Sequence, residues 1–529
     1  MRYSLLLFIA IIGIACAGGN HTAAVTPVAA AAVDDLQTQS PDTTIQSFTT
    51  VEGADLMARL EAAQTRARAR QTPYWSAYTF DVRPGIAVDP AIREFHGTMN
   101  TMGDTVVFVG TTSAGVTVET RNLAIFLLRD PASNQITRME VFNLERKREY
   151  SGYPVYWLGR ANNEESLNYL RALAAAAPLD MLSERAVLGI ALHDDARVAG
   201  MLKNFVASSP NQRIRSSSVY WLGHVGGETT FLAGLVRSET EDIKIRRAAA
   251  HAISRSRDRG TIPTLQNLYE TVKDAEIRRS VINAAGDAVD EQPAWTFLLG
   301  ISKNDADWES RRTAVRQLGE FKRDDAAEEL MKIYANDANV EVKRAALRSL
   351  AETKNPRGQA RLLEIARTET NPELRKSAIR VLSDRGEAAI DDLLKLYDAE
   401  QSAEVRRSIL QSLSDIKSTR VEDKFFEVAK GNDTMEVRRQ AIRLLGERVS
   451  KRSFEFLSAT AQSSDGNAEV QVQAVRAISE RKAEESVPLL IKIAKTHPNQ
   501  LVRKQAIRSL GESGDPRAVD FFREVLTKE

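Results

Sequence analysis

The sequence predicts a mainly α-helical array of about twelve stacked helical pairs, preceded by a small antiparallel β-rich segment and a flexible N-terminal tether. Three observations lead to this fold class. The pentapeptide VYWLG occurs twice, starting at Val155 and at Val219. A longer pattern then recurs along the rest of the chain, and the apolar residues inside each copy have helical rather than strand spacing.

The repeat is defined by the pattern V-R-R-x-A-φ-R-x-L-G, where φ is apolar and the first position is offset 0. This first position recurs every 31 to 33 residues, at Ile214, Ile245, Ile277, Ser310, Val342, Leu374, Val405, Val437, Val470 and Val502. Two weaker copies extend the array backwards, one from Ser183 and one from Tyr150, so that it contains the first VYWLG. Repeats are therefore predicted over residues 150–529, with a core that grows lengthwise.

Each repeat is predicted to be a pair of helices. Three residues before offset 0, from Asn211 to Asn499, stands a residue type that caps helix N-termini. Offsets 0, 4, 5 and 8 are apolar and form one helical stripe. Glycine at offset 9, such as Gly446, is expected to end or nearly end the first helix. A second helix follows, and neither helix can bury its stripe without neighbouring repeats.

The copies VRRQAIRLLGE and VRKQAIRSLGESGDPRAV resemble the HEAT-repeat family, in particular its short bacterial form related to the phycobilisome lyase repeats. The resemblance covers about seventy per cent of the chain. It implies a right-handed α-solenoid whose V-R helices line the inner, concave face, and it implies a protein-binding scaffold. A minority of the family are lyases, so the resemblance alone names no reaction.

The N-terminus, residues 1–17, is predicted to be a targeting segment. Arg2 precedes an apolar run, Leu5–Ile14, that is too short to cross a bilayer and has the length of a signal-peptide core. The residues ACA at 15–17 form a signal-peptidase site, while GIAC resembles a lipobox in which Cys16 is lipidated. Both routes predict an exported protein, either a periplasmic or outer-membrane lipoprotein or a secreted protein. Cys16 is the only cysteine, so disulfides are excluded.

Three segments separate this leader from the repeats. Residues 18–50 contain few large apolar residues and predict a flexible tether. Residues 51–72 predict an amphipathic helix, whose apolar face carries Leu56, Leu60 and Ala63. Residues 73–148 predict a β-rich domain, with NLAIFLLRD and ITRMEVFNL as a hairpin around PASNQ. This domain is interpreted either as a cap on the repeats or as a separate ligand-binding module.

Composition and motifs argue against several classes of function. Lys and Arg number 72 and Asp and Glu number 71, so no bulk charge favours nucleic acid or an anionic membrane surface. The sequence contains no recognised catalytic motif, and we expect no enzyme activity, no cofactor and no metal. One weak metal hypothesis joins His193 and His224, which share offset 10, with Asp194 and Asp195.

Arginine recurs at three offsets that face different ways. At 100° per residue, offset 1 lies between the apolar offsets 8 and 5. These arginines are expected to form an inter-repeat ladder with acids, and they are Arg246, Arg278, Arg311, Arg375, Arg406, Arg438 and Arg503. Offsets 2 and 6 point away from the stripe, and their cations are expected to form a basic ridge on the inner surface. The ridge residues are Arg312, Arg316, Arg344, Arg348, Lys376, Arg380, Arg439, Arg443, Lys504 and Arg508.

Two interpretations of the ridge remain open at this point. In one, nearby acids neutralise a solvated helix face. In the other, the ridge binds an acidic protein or an anionic polymer of the cell envelope.

Aromatic residues suggest two further contact sites. Tyr156 with Trp157 and Tyr220 with Trp221 occupy offsets 6 and 7, where they predict partner-binding anchors or, alternatively, core packing against the β-rich domain. Near the other end, an apolar edge is expected to support end-on self-association unless charged neighbours cover it. This edge comprises Phe521, Phe522 and Val525.

The sequence thus predicts an exported scaffold that binds other proteins on the concave face of its repeats. It would touch the membrane only through a lipid on Cys16, and it would not bind nucleic acid. The alternatives are a structural or adhesive envelope protein that binds anionic polymer, and a lyase-like or hydrolytic enzyme.

Overall fold

The computed structural model describes residues 47–89, 95–102, 105–112, 119–176, 180–256, 258, 260–288, 291–463 and 467–527. The predicted targeting segment with Cys16, and nearly all of the predicted tether, lie outside these residues. The chain forms two compact units, Met1–Val198 and Ala199–Glu529. Within the described ranges, no helix combines the length and the apolar character needed to cross a membrane.

The first unit is built on two β-sheets. Its strands are β1 (Thr49–Thr50), β2 (Tyr74–Thr79), β3 (Ile86–Val88), β4 (Phe95–Met102), β5 (Thr105–Thr112), β6 (Leu123–Arg129), β7 (Ile136–Asn143) and β8 (Val155–Arg160). One sheet has the order β1-β8-β2-β6-β7 and the other has the order β3-β5-β4. Because β8 pairs in parallel with both β1 and β2, the larger sheet is mixed rather than antiparallel as expected.

Two local predictions for this unit are confirmed. Strands β6 and β7 form the expected antiparallel hairpin, and β6 is buried along nearly its whole length. The amphipathic helix spans Leu56–Arg68 (α1) and buries Leu56, Leu60 and Ala63. Trp75, Phe126 and Phe142 form the centre of an aromatic core beneath the larger sheet.

The first VYWLG is strand β8, which corrects its assignment to a helical repeat. The turn before it places Ser151 and Gly152 at positive φ, 57° and 72°, and β8 then hydrogen-bonds to strands on both sides. β-Branched and aromatic residues suit such a strand. The second copy is helical because it continues a helix that Asn211 caps eight residues earlier. The run of successive helices therefore begins at Asn163 and not at Tyr150.

Helices occupy the rest of the described chain. They are α2 (Asn163–Ala176), α3 (Asp180–Ala191), α4 (Arg197–Ser208), α5 (Gln212–Val225), α6 (Thr229–Arg237), α7 (Ile243–Arg255), α8 (Thr261–Thr271), α9 (Ala275–Gly286), α10 (Glu291–Asn304), α11 (Trp308–Glu320), α12 (Ala326–Asn336), α13 (Val340–Glu352), α14 (Pro356–Thr368), α15 (Pro372–Ser383), α16 (Ile390–Ala399), α17 (Ala403–Ser414), α18 (Thr419–Lys430), α19 (Met435–Glu447), α20 (Lys451–Gln462), α21 (Ala468–Ser479), α22 (Ala483–Thr496), α23 (Gln500–Ser513) and α24 (Pro516–Leu526). A 3₁₀ turn, Gly386–Ala389, precedes α16.

From α5 onwards, the odd-numbered helices are the first helices of the repeats and the even-numbered helices are the second. First helices of consecutive repeats pack directly on one another, whereas second helices contact each other much less. The second unit is therefore an α-solenoid in which the first helices form the more closely packed layer, as expected for an inner layer.

The predicted caps and apolar stripes are present. At every offset −3 residue except Thr434, the side chain accepts a hydrogen bond from a backbone N–H in the first turn of the following helix. In α19, the stripe residues Val437, Ala441, Ile442 and Leu445 are fully buried. These local signals fix where each first helix begins and which side it buries.

The glycines at offset 9 have a packing role that the sequence did not suggest. They lie inside the first helix close to its end, without the left-handed conformation of a glycine that ends a helix. A Cβ atom on Gly223 would lie 2.5 Å from the carbonyl oxygen of Ala252 on the next first helix. A Cβ atom on Gly446 would lie 2.8 Å from the Cβ atom of Ala477. Glycine therefore allows consecutive first helices to approach closely.

Replacing Gly223 with alanine is expected to destabilise the protein by about 2 kcal/mol, because the new methyl group meets backbone atoms that cannot move aside. Thermal unfolding followed by circular dichroism measures the effect. Gly511→Ala is the matched control, since Gly511 has the same offset and an added Cβ atom meets nothing within 4 Å. Equal melting temperatures for the two variants would contradict the close approach of the helices.

Candidate protein-binding surface

Five of the seven arginines predicted for the ladder pair with an acid of the next repeat, whereas Arg438 and Arg503 donate to backbone carbonyl oxygens instead. Arg311 donates from Nε to Asp337 Oδ2 at 2.8 Å and from Nη2 to Asp337 Oδ1 at 3.1 Å. Its Nη1 donates to the carbonyl oxygen of Asp305 at 2.8 Å. The same pairing with an acid of the next repeat recurs in Arg246–Asp274, Arg278–Asp305, Arg375–Glu400 and Arg406–Asp433. We call this set the arginine ladder.

Tyrosines of the second helices join the ladder. The Tyr269 hydroxyl donates to Asp305 Oδ2 at 2.6 Å, and the Tyr397 hydroxyl donates to Asp433 Oδ2 at 2.9 Å. Burial and the adjacent Asp305 carboxylate raise the pKa of Tyr269 to about 12, so that this hydroxyl remains a donor at neutral pH. Asp305 and Asp433 thus each accept from a first helix and from the second helix that precedes it in the chain, which links neighbouring repeats.

The exposed side of the first helices carries the residues at offsets 2, 6 and 10, and we call it the first-helix surface. Cations at offset 2 mostly pair with glutamates at offset −1 of the next repeat. Arg344 contacts Glu373 at 3.7 Å, Lys376 contacts Glu404 at 2.5 Å and Arg439 contacts Glu469 at 3.8 Å. These contacts fit the interpretation of a solvated face that acids neutralise.

The cations at offset 6 fall into two groups. Arg443 forms an ion pair with Glu447, and Arg508 pairs with Glu512 at 3.0 Å. In contrast, Arg316, Arg348 and Arg380 are exposed, and within the described part of the chain they make no ion pair or side-chain hydrogen bond. Three consecutive repeats therefore present guanidinium groups that no carboxylate in the described ranges holds in direct contact.

A groove of about 620 Å³ crosses the first-helix surface of α13, α15 and α17. Arg348 and Arg380 line it from offset 6, and Arg344 and Lys376 line it from offset 2. The remaining polar lining includes Glu373, Ser377, Asp384, Ser408, Gln411 and Asp415. The groove is therefore polar, and it brings together four of the ten predicted ridge residues.

An acidic row at offset 10, which was not among the predictions, flanks the ridge. Its members stand at or next to the ends of first helices, from α11 onwards, and are Glu320, Glu352, Asp384, Asp415, Glu447, Glu480 and Glu512. Partial burial and the neighbouring carboxylate of Glu320 raise the pKa of Glu352, although Arg316 and Arg348 act in the opposite direction. The periodic acid was a visible signal in the sequence, since it recurs four residues after the offset 6 position.

The structure separates the two aromatic pairs. Tyr156 and Trp157 belong to strand β8, where Tyr156 is buried against Tyr74 and Trp157 packs on Phe48. They pack within the β-rich unit and are not part of the first-helix surface.

The second aromatic pair is divided between the surface and the core. Trp221 is only 1% exposed, because offset 7 lies about 20° from offset 0 on a helix and so faces the packed side. It therefore cannot serve as the partner-binding anchor that we expected. Tyr220 is half-buried on the first-helix surface, with the Arg255 guanidinium 5.1 Å from its ring centre.

His193 is a buried structural residue. Its Nδ1 lies 2.7 Å from the carbonyl oxygen of Gly189 and its Nε2 lies 2.8 Å from the Ser166 hydroxyl, while its ring stacks on Phe80. Burial lowers the pKa of His193 to about 4. No arrangement of three or more His, Cys, Asp or Glu side chains suited to a metal occurs among the described residues.

The predicted apolar edge is only partly exposed. Phe521 is 5% exposed and Phe522 is half-buried, so neither ring is freely presented. Val525 is 52% exposed, as predicted, and the adjacent Leu526 is 78% exposed.

Comparisons with known proteins address the repeats. A family model described as HEAT repeats matches residues 296–383 and 460–529. Among curated proteins, no sequence matches the chain.

Several solved structures are similar to the chain. One is a Kap121p mutant, at 12% identity over 69% of this chain and 47% of that one, with a TM-score of 0.36. Another is human deoxyhypusine hydroxylase in complex with glycerol, at 15% identity over 54% and 96% of the two chains, with a TM-score of 0.23. A third is the CpcE–CpcF complex of phycocyanin lyase from Nostoc sp. PCC7120, at 20% identity over 47% and 91%, with a TM-score of 0.24.

The chain spans about half the length of the Kap121p chain that it matches. The two stretches matched by the family model coincide with helical pairs of the solenoid, from within α10 to the end of α15 and from the end of α20 onwards. The capped helical pairs and their period of about 32 residues agree with this match, and the matched stretches are HEAT repeats.

Proposed function

We propose that the chain is an exported, lipid-anchored scaffold that binds partner proteins on the first-helix surface of its HEAT repeats. The observation that carries this proposal is the polar groove across α13, α15 and α17, where Arg348 and Arg380 contact no carboxylate of the described residues. Solvent-facing guanidinium groups that lack an intramolecular partner are ready to form charge-assisted hydrogen bonds with another molecule.

The ladder and the caps support this proposal through preorganisation. A surface whose helices are fixed relative to one another loses little conformational freedom when a partner binds. The ion pairs Arg311–Asp337 and Arg375–Glu400, together with the hydrogen bond from the Tyr334 hydroxyl to Glu369, link the repeats that carry the groove. The groove residues therefore keep their relative positions without the partner. Binding of this kind needs no catalytic residue, so the proposal assigns no reaction to the chain.

The export and the lipid anchor rest on the sequence of the leader. The apolar run Leu5–Ile14 and the lipobox-like GIAC motif place the single cysteine, Cys16, where lipidation requires it. A bilayer anchor at this position, followed by the tether of residues 18–50, would leave the repeats free to meet partners in the envelope.

Metabolic labelling with a palmitate analogue tests the anchor. We expect the full chain to be labelled and to fractionate with membranes, and we expect Cys16→Ser to be unlabelled. Ala17→Ser is the matched control, because it introduces the same side chain at the next position and leaves the cysteine in place. Equal labelling of Cys16→Ser and the original chain would exclude lipidation at this residue.

Chemical crosslinking followed by affinity capture from envelope fractions tests the scaffold. The test variant carries Arg312→Glu, Arg407→Glu and Lys504→Glu, which reverse offset 2 cations that have no ion pair among the described residues. The matched control reverses second-helix cations with Arg357→Glu, Arg367→Glu and Lys395→Glu.

We expect a discrete protein partner that is captured by the original chain and by the control and that is lost from the test variant. Capture that is equal in all three proteins would contradict a role for the offset 2 cations in binding. Circular dichroism of the test variant and of the control compares their helical content. This comparison separates a loss of binding from a loss of folding.

A further inference from the structure

We propose that Arg316, Arg348 and Arg380 hold an extended acidic segment of the partner protein, with a carboxylate at every third residue. This inference rests on the proposed function, because it names the partner chemistry for the same first-helix surface. It assigns a specific role to three of the predicted ridge residues.

Arginines at the same offset of different repeats differ in their ion pairing. All five offset 6 arginines of the ridge have an acid four residues further on, at Glu320, Glu352, Asp384, Glu447 and Glu512. Arg443 and Arg508 form ion pairs with theirs, whereas Arg316, Arg348 and Arg380 do not. The side chains of these three arginines are exposed to solvent and can reach a ligand.

The three arginines without an ion pair follow one another along the repeats. They occupy the same offset in consecutive repeats, on α11, α13 and α15. Packed helices are about 8–10 Å apart, so the backbone positions from which the three arginines project recur at about that spacing. A polyproline II segment repeats every three residues and rises about 9.3 Å over them, so that every third side chain lies on one face. An acid at every third position of such a segment would match the row.

The groove also argues against a dense polyanion. The acidic row at offset 10 runs beside the arginines, and Asp384 and Asp415 line the groove itself. A polymer with a negative charge on every unit would place some of its charges against these carboxylates, and like charges repel. A peptide whose carboxylates are separated by neutral residues avoids this cost.

Fluorescence anisotropy with the full-length chain in detergent tests the proposal. The probe is a labelled twelve-residue peptide of Pro, Ser and four Glu, with Glu at every third position. Two control peptides have the same length, one with the four Glu contiguous and one with Lys in place of Glu. The test protein carries Arg316→Gln, Arg348→Gln and Arg380→Gln, and the control protein carries Arg357→Gln, Arg367→Gln and Lys395→Gln.

We expect the original chain and the control protein to bind the spaced acidic peptide with similar affinity, and the test protein to bind it about tenfold more weakly. The affinity should fall as salt is added, because the contacts are exposed ion pairs. The Lys peptide should not bind, and the contiguous acidic peptide should bind more weakly than the spaced one.

Equal binding by the test and control proteins would overturn the assignment of the arginines, and equal binding of the two acidic peptides would overturn the spacing. Retention of an anionic polysaccharide that depends on these arginines, without peptide binding, would assign the row to a polymer instead. The capture experiment alters offset 2 and not offset 6. If a partner protein is captured but the acidic peptide does not bind, the proposed scaffold function stands and only this inference is overturned.

Discussion

Replacing Arg311 with methionine is expected to destabilise the repeat array by about 3 kcal/mol, because the carboxylate of Asp337 would remain largely buried without its cation. The Asp337 side chain is 6% exposed, and both of its oxygens accept from Arg311 in the structure. Burial alone would raise the pKa of Asp337, but the hydrogen bonds from Arg311 hold it below its usual value. Urea unfolding followed by the helical circular dichroism signal measures the loss.

Two further variants show whether the cost comes from an unpaired charge. Adding Asp337→Asn to Arg311→Met should recover part of the stability, because the amide removes the charge and its oxygen can still accept from the Asn339 N–H. Arg316→Met, at an exposed position, should leave stability unchanged. If Arg311→Met proved as harmless as Arg316→Met, the ladder would not hold the repeats together.

Acidification is expected to destabilise the β-rich unit through His193, by up to about 3 kcal/mol between pH 7 and pH 4. The folded chain lowers the pKa of His193 to about 4 from its usual value of 6.5, so between these values the unfolded chain binds a proton that the folded chain excludes. The stabilising contribution is therefore complete above pH 6.5 and is lost as the pH falls towards 4. Burial is the main cause, and Asp195 and Arg83 act in opposite directions.

Thermal unfolding at pH 7 and at pH 5 measures this dependence. His193→Gln should be less sensitive to the change in pH than the original chain, because glutamine does not titrate. His251→Gln is the control, since His251 is partly exposed and lies 3.2 Å from Asp287. The same acid sensitivity in His193→Gln and in the original chain would show that other groups cause it.

The two copies of VYWLG show where local sequence stops determining structure. The second copy follows the capped start at Asn211 and lies within α5. The first copy forms β8 because strands on either side satisfy its backbone groups. Even the shared glycine differs in role, since Gly159 has a φ of 72° while Gly223 allows close helix packing. Periodicity predicted the repeats well because each copy carries its own local signals, but a distant strand leaves no such signal.

The candidate surface was predictable in its positions but not in its pairing. The helical period by itself places Arg316, Arg348 and Arg443 on one side of their helices. Whether an arginine pairs with the acid four residues on depends on side-chain conformation and on the next repeat, which linear sequence does not contain. The burial of Trp221 could have been deduced from its helical angle, because offset 7 nearly coincides with the apolar offset 0.

Site-specific photocrosslinking in intact cells tests the central claim most directly. A photoreactive phenylalanine derivative is placed at Arg407, exposed on first helix α17, or at Lys395, exposed on second helix α16. If partner proteins bind the first-helix surface, a discrete protein adduct forms from position 407 and not from position 395. An adduct that forms only from position 395, or equally from both, would contradict the account.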